Sequence, residues 1–284
     1  MSALLFGRCS GLSRMPSTPP TPDTPLIVAI HGGSYTSTYF DLPGRSLLEA
    51  AATNGIPIVA IDRPGYGKSP PLPPSKMDLA GQASFLIDAL SEVWHQYGDG
   101  CTGIFLVGHS IGAAIAATIA SNPGNLPLLG LAISGVGLNT NPGDHERWRS
   151  MPDTFHVDLP TAIKDMVMFG PSGSFAVDMP NASRPADAPA VKAELLAITG
   201  SWHGSAPGIL GRIALPVHYR QAEFDRLWVV NEDEVGAFAG ALTASPLVDA
   251  RMVPATGHCI DFHHFGPALH LQQLGFAREC ALRS

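Results

Sequence analysis

The sequence predicts an α/β fold, with a mostly parallel central sheet, helices on both of its faces and a cap inserted over one end. Three observations carry that expectation. Short apolar runs bounded by turn residues recur along the chain. Most of them lack polar alternation, which suits strands buried on both faces. Stretches that suit helices fall between them, so strand and helix take turns. The 284 residues can bury one large core.

Residues 1–25 read as a disordered or loosely packed tail, because Pro, Ser and Thr dominate their second half. The expected strands are Leu26–Ile30, Ile56–Ile61, Ile104–Val107, Leu128–Ile133, Leu215–Tyr219 and Leu247–Val253. The expected helices between and after them are Arg45–Asn54, Leu79–Tyr97, Ile111–Ser121, Asp233–Thr243 and Phe265–Leu282. The rhythm fails from Gly137 to Gly211, where Pro, Gly, Asp and Met are frequent and only Thr161–Phe169 and Ala190–Gly200 suggest short helices. A structureless loop of that length is rare inside a compact domain. Residues 137–211 are therefore assigned as a cap or lid between two core segments, 26–136 and 212–284.

Composition sets several functions aside. A net charge of −7 and a pI near 5.8 argue against nucleic acid, which needs a basic face, and against anionic membrane surfaces. No apolar run approaches the roughly 20 residues of a membrane span. Ala3–Phe6 is far shorter than the apolar stretch of a secretory signal, so a cytoplasmic location is expected. The four cysteines, Cys9, Cys101, Cys259 and Cys280, lack the spacing of a disulfide framework or a zinc knuckle. Adjacent His263 and His264 on a helix point in different directions, and Gly65-Tyr66-Gly67 lacks the third glycine of a dinucleotide loop. No metal and no organic cofactor is implied. The expected partner is a small-molecule substrate, and a homodimer is compatible with the composition.

One stretch carries chemistry: FLVGHSIGAA, residues 105–114. G-x-S-x-G after a buried strand and before an Ala-rich helix is a nucleophile elbow. The chain turns sharply there, and flanking glycines remove side chains that would collide. The turn lifts the Ser110 hydroxyl clear of the sheet at the positive end of a helix. It also aims the Ile111 N–H at the same space, as half of an oxyanion hole. The plainer alternative, a glycine-flanked serine capping a helix, fits that setting less well.

The chain resembles the α/β-hydrolase superfamily, in its cap-bearing serine esterase and lipase-like group. Beside the elbow, the resemblance rests on His31-Gly32-Gly33 after the first buried strand, on Asp62-Arg63-Pro64-Gly65-Tyr66-Gly67-Lys68-Ser69 after the next, and on Thr256-Gly257-His258 after the last. Together these matches run from Leu26 to about Phe276. The resemblance implies a hydrolase that acts through a Ser-His-Asp triad. The bond would be a carboxylic ester, thioester or lactone in a small, largely apolar substrate. C–C or amide cleavage by the same triad, and a non-catalytic binding protein on this scaffold, are the alternatives. Epoxide hydrolysis and dehalogenation fit less well, since related enzymes of that kind carry Asp where Ser110 stands.

Of the eleven histidines, His258 is selected as base, because it follows the last strand through what reads as a short mobile loop. His263 and His264 are its rivals; His109 is expected to pack under the elbow, and His31 to hold its glycine loop. The family's order of Ser, acid, His points to Asp225, with Ala222 where the family's turn carries glycine. Glu223 and Asp144 are the alternatives. The resemblance implies Gly33 as the second oxyanion donor. Ser34, Tyr35, Tyr39, Trp148, Phe169 and Trp202 are the expected substrate contacts. The cap adds Met151, Phe155, Met166, Met168, Phe175 and Met179, a surface rich in soft and aromatic side chains.

Overall fold

Leu26–Ile30 is apolar at every position, and the structure, a computed structural model describing residues 4–284, shows why. Leu26, Val28 and Ile30 join one apolar layer, while Ile27 and Ala29 join another on the opposite side of the sheet. A strand buried on both faces needs this continuous run.

The main sheet has eight strands. They are β1 (Leu4–Phe6), β2 (Cys9–Arg14), β3 (Leu26–Ile30), β4 (Ile58–Ile61), β5 (Ile104–His109), β6 (Leu128–Ser134), β7 (Val217–Ala222) and β8 (Val248–Val253). Their spatial order is β1-β2-β4-β3-β5-β6-β7-β8. From β4 to β8 every pairing is parallel; β1 with β2 and β2 with β4 are antiparallel. The helices are α1 (Leu47–Thr53), α2 (Leu79–Tyr97), α3 (Ile111–Ser121), α4 (Asp144–Arg149), α5 (Thr161–Met168), α6 (Met179–Ala182), α7 (Lys192–Gly200), α8 (Trp202–Leu210), α9 (Glu232–Ala241) and α10 (Gly266–Leu282). Helices α2, α3, α8 and α9 cover one face, and α1 and α10 cover the other. Among the described residues no helix is long and apolar enough to cross a membrane.

Two expectations need correction. Residues 4–14 are not a loose tail: they form the β1–β2 hairpin, and β2 pairs with β4. Phe6, Cys9 and Ser10 are fully buried. The Ser10 hydroxyl donates to Asp62 Oδ2 at 2.6 Å. The hairpin covers what would otherwise be an open edge of the parallel sheet. Its composition hid it, since CSGLSR offers small residues where a strand pattern wants branched or aromatic ones. Gly11 is required there, because a Cβ would stand 2.2 Å from the Ala60 carbonyl oxygen. Residues 1–3 lie outside the described residues.

The second correction concerns the insertion. Between β6 and β7 the chain forms α4 to α8 and a short antiparallel ladder of His156–Val157 with Ala190–Val191. Helix α8, however, packs on α3 and α9. Trp202, Ala206 and Leu210, four residues apart, are fully buried in the core layer. The last helix of the expected cap is thus part of the covering layer.

Candidate active site

Ser110 lies between β5 and α3, capping the helix with φ 55° and ψ −124°. An L-residue in that region is strained, and such strain persists where surrounding structure imposes it. Here the glycines allow it. A Cβ on Gly108 would lie 2.7 Å from Ala113 Cα, and one on Gly112 would lie 2.1 Å from the Ile30 carbonyl oxygen. The Ser110 N–H donates to the Ser134 carbonyl at 2.8 Å, fixing the turn to β6.

The glycine turn after β3 sits directly on this elbow. A Cβ on Gly32 would meet Ser110 Cβ at 2.9 Å, and one on Gly33 would meet Ile111 Cδ1 at 2.9 Å. His31 holds the turn: its Nδ1–H donates to the Gly32 carbonyl at 2.8 Å, and its Nε2 accepts from the Arg63 N–H at 3.0 Å. Burial, followed by the Arg63 charge, pushes His31 down to about 4, so the ring is neutral and that tautomer is the working one.

His258 follows β8, and its Nδ1–H donates to Asp225 Oδ2 at 2.7 Å. Asp225 accepts further bonds from Gln221 Nε2 at 3.0 Å and from the Leu227 N–H at 2.9 Å. The His258 ring lies 4.8 Å from the His109 ring, next to the elbow. His109 stacks on Tyr39 at 4.7 Å; burial and then His258 push it down to about 3. Asp144 is elsewhere, in the first turn of α4, bonded by Arg147 at 2.9 Å. Glu223 holds the loop and not the imidazole, accepting from the Ala255 N–H at 2.7 Å.

The loop read as mobile is tied at several points. The Phe224 N–H donates to the Thr256 carbonyl at 2.9 Å, and the Cys259 N–H donates to the Met168 carbonyl of α5 at 3.0 Å. His263 Nε2 accepts from both the Gly257 and Gly170 N–H groups at 2.9 Å, while its Nδ1–H donates to the Cys259 carbonyl at 2.8 Å. His263, a rival for the base, is thus a clamp beneath it, and burial lowers its affinity for a proton.

Sequence reasoning missed a buried ionic cluster under the glycine turn. Arg63 Nη1 meets Glu194 Oε2 of α7 at 2.5 Å with both side chains unexposed. Its Nε and Nη2 donate to the His31 and Gly32 carbonyls at 2.9 and 3.0 Å. Gln82 Nε2 donates to Glu194 Oε2 at 3.1 Å, and the Tyr66 hydroxyl donates to Glu194 Oε1. The Arg63 charge, with these bonds, holds Glu194 below the usual carboxylate range despite its burial. The signal was present as Arg63 and Tyr66 in the turn after β4; nothing in the sequence pairs them with a residue 131 positions away.

A cavity of about 310 Å³ opens onto Ser110, Gly33 and Ile111. Its walls come largely from the segment between β6 and β7, including Trp148, Met151, Ile163, Met168 and Leu195. Of the expected substrate contacts, Ser34 and Trp148 line it. Tyr35, Tyr39, Phe169 and Trp202 are not among the lining residues. Tyr35 and Tyr39 pack with Phe262 behind the loop, Phe169 packs with Phe175, and Trp202 Nε1 donates to the Gly137 carbonyl at 2.8 Å. These four aromatic side chains found buried neighbours in place of the pocket.

The profile of the alpha/beta hydrolase family matches residues 27–268. The chain belongs to this family. Among solved structures, this alpha/beta hydrolase is similar to a thermophilic esterase from Thermogutta terrifontis, with 18% identity, TM-score 0.68 and coverage of 95% of this chain and 99% of that one. It is similar to a Paleococcus ferrophilus monoacylglycerol lipase, with 15% identity, TM-score 0.68 and coverage of 96% and 99%. An N-acyl homoserine lactonase gives 17% identity, TM-score 0.64 and coverage of 97% and 95%. At these identities the likeness is one of fold. Among curated proteins none matches the sequence.

Proposed function

We propose that this alpha/beta hydrolase is a serine hydrolase that cleaves a carboxylic ester, thioester or lactone of a small, largely apolar substrate through an acyl-enzyme. The observation that carries the reading is the 2.7 Å bond from His258 Nδ1–H to Asp225 Oδ2, with the His258 ring 4.8 Å from the ring of His109, the residue before a serine held at φ 55°. The carboxylate fixes the tautomer that leaves Nε2 free to accept a proton.

Ser110 Oγ attacks the substrate carbonyl while His258 Nε2 takes its proton, giving a tetrahedral oxyanion. The Gly33 and Ile111 N–H groups receive that charge. The oxyanion collapses as His258 returns the proton to the leaving group, and the acyl group stays on Ser110. Water, deprotonated by His258, attacks the ester, and collapse releases the acid and restores the hydroxyl. The part of the segment from α4 to α7 acts as a cap that excludes water and supplies apolar walls. The named activities of the esterase, lipase and lactonase of like fold support this class of chemistry.

A fluorophosphonate probe followed by intact-mass and peptide analysis tests the reading. One adduct per chain on Ser110, absent in Ser110→Ala, is expected. Labelling spread over other serines, or none with p-nitrophenyl esters also inert, overturns it.

A further inference from the structure

Ser34 carries a hydroxyl with nowhere to go. It follows Gly33, is 2% exposed, and its Oγ has no hydrogen-bond partner although it is buried. A buried hydroxyl left unpaired costs free energy. It lines the same cavity as Ser110, Gly33 and Ile111. Its backbone is also unusual: φ is 60°, in the left-handed region that favours glycine.

The surroundings hold that conformation. The Ser34 carbonyl accepts from Lys164 Nζ of α5 at 2.6 Å and from the Ala188 N–H at 3.0 Å. Lys164 is itself fixed by Asp187 Oδ1 at 2.6 Å and by the Tyr35 ring, 3.8 Å below its ammonium. The Ser34 backbone is therefore held in place, in a cavity that Val167 and Met168 also line. Two other polar side chains along the cavity are engaged: Thr199 Oγ1 donates to the Leu195 carbonyl at 2.7 Å, and Asp144 pairs with Arg147; Thr140 and Arg226 also line it, but they are not fully buried.

We infer that Ser34 Oγ is a substrate-reading group, and that the substrate's acyl part carries a hydroxyl or carbonyl oxygen on one of the two carbons next to the scissile carbonyl. This inference rests on the hydrolase reading above. The placement follows from the chain: Ser34 is one residue from the oxyanion donor Gly33, so its hydroxyl addresses atoms adjoining the reacting carbon. The acyl part, and not the leaving group, stays in the cavity through both half-reactions. A fixed polar group that the substrate must satisfy discriminates strongly against analogues that lack the partner.

The test compares kcat/KM for phenyl hexanoate, phenyl 2-hydroxyhexanoate and phenyl 3-hydroxyhexanoate in the wild type, Ser34→Ala and Ser34→Gly. Glycine suits a φ of 60° and so separates loss of the hydroxyl from loss of the fold. The wild type is expected to prefer one hydroxylated ester to the plain one by about 10-fold or more, and both variants to lose that preference by about 10- to 100-fold. A preference ratio identical in wild type and variants overturns the inference, whether overall rates stay level or fall together as they would for a third oxyanion donor. Ser110→Ala on the same esters separates the two readings. Hydrolysis that survives Ser110→Ala, or no wild-type turnover of any ester, brings down the hydrolase reading itself.

Discussion

Arg63 and Glu194 form an ion pair at 2.5 Å with neither side chain exposed, and the same guanidinium holds the carbonyls of His31 and Gly32. The pair ties helix α7 to the turn that carries Gly33. Removing one partner of a buried pair strands the other charge, so Glu194→Ala is expected to cost about 3–5 kcal/mol in urea unfolding. Pairing it with Arg63→Met should recover a large part of that loss. A cost below about 1 kcal/mol for Glu194→Ala would show that Arg63 is solvated in solution.

Asp225 is expected to orient His258. Asp225→Asn should lower kcat by about 10⁴-fold by presenting the wrong tautomer. Asp144→Asn, at an acid paired with Arg147, should act on substrate binding and leave kcat far less affected. Glu223→Gln keeps an oxygen for the Ala255 N–H and should be mild. Steady-state kinetics on folded variants checks the ranking, and a crippled Asp144→Asn beside an active Asp225→Asn would reverse the assignment.

Acid should weaken the fold through three buried histidines. Burial, with Arg63 for His31, His258 for His109 and Arg220 for His218, holds them at about 4, 3 and 4 in the native state. Unfolded, each takes a proton near pH 6.5. The unfolded chain therefore binds more protons as pH falls below about 6.5, and stability drops until the native pKa values are reached, by up to about 1.4 kcal/mol per pH unit for each histidine. Thermal melts across this range should show the decline, and His218→Phe, a ring of similar size packed on Phe276, should flatten it. A slope unchanged by that substitution would mean His218 is protonated in the native state.

Two glycine-to-alanine changes should have opposite signs. Gly112→Ala would put a Cβ 2.1 Å from the Ile30 carbonyl oxygen and should destabilise the protein and abolish turnover. Gly236→Ala lies within α9, where the new methyl would meet nothing within 4 Å beyond the adjoining backbone of its own helix, and should stabilise by about 0.4–1 kcal/mol. Chemical denaturation of both variants reads the contrast.

What the sequence made legible was whatever local pattern determines. The runs at Leu26, Ile104 and Leu128 are apolar on both faces and became β3, β5 and β6. The elbow was visible because the strained turn needs glycines at fixed offsets, and β5 and α3 bear out its strand-before, helix-after setting. What stayed hidden depends on distant partners. The β2 strand has small residues and is specified by the β4 edge it covers. Glu194 reads as an ordinary helical acid until the fold brings it to Arg63. The aromatic side chains of the expected pocket were sorted by burial, which spacing alone does not reveal, so Tyr39 went behind His109 and Trp202 into the core layer.

Ser110 is the residue proposed to carry the acyl group. Rapid quenching of the reaction with a p-nitrophenyl ester, followed by intact-mass and peptide analysis, shows whether it does. A burst of p-nitrophenol approaching one equivalent is expected wherever deacylation is slower than acylation, with the acyl mass on the peptide containing Ser110 and neither signal in Ser110→Ala. Full turnover by Ser110→Ala, or an acyl mass on another residue, would contradict it.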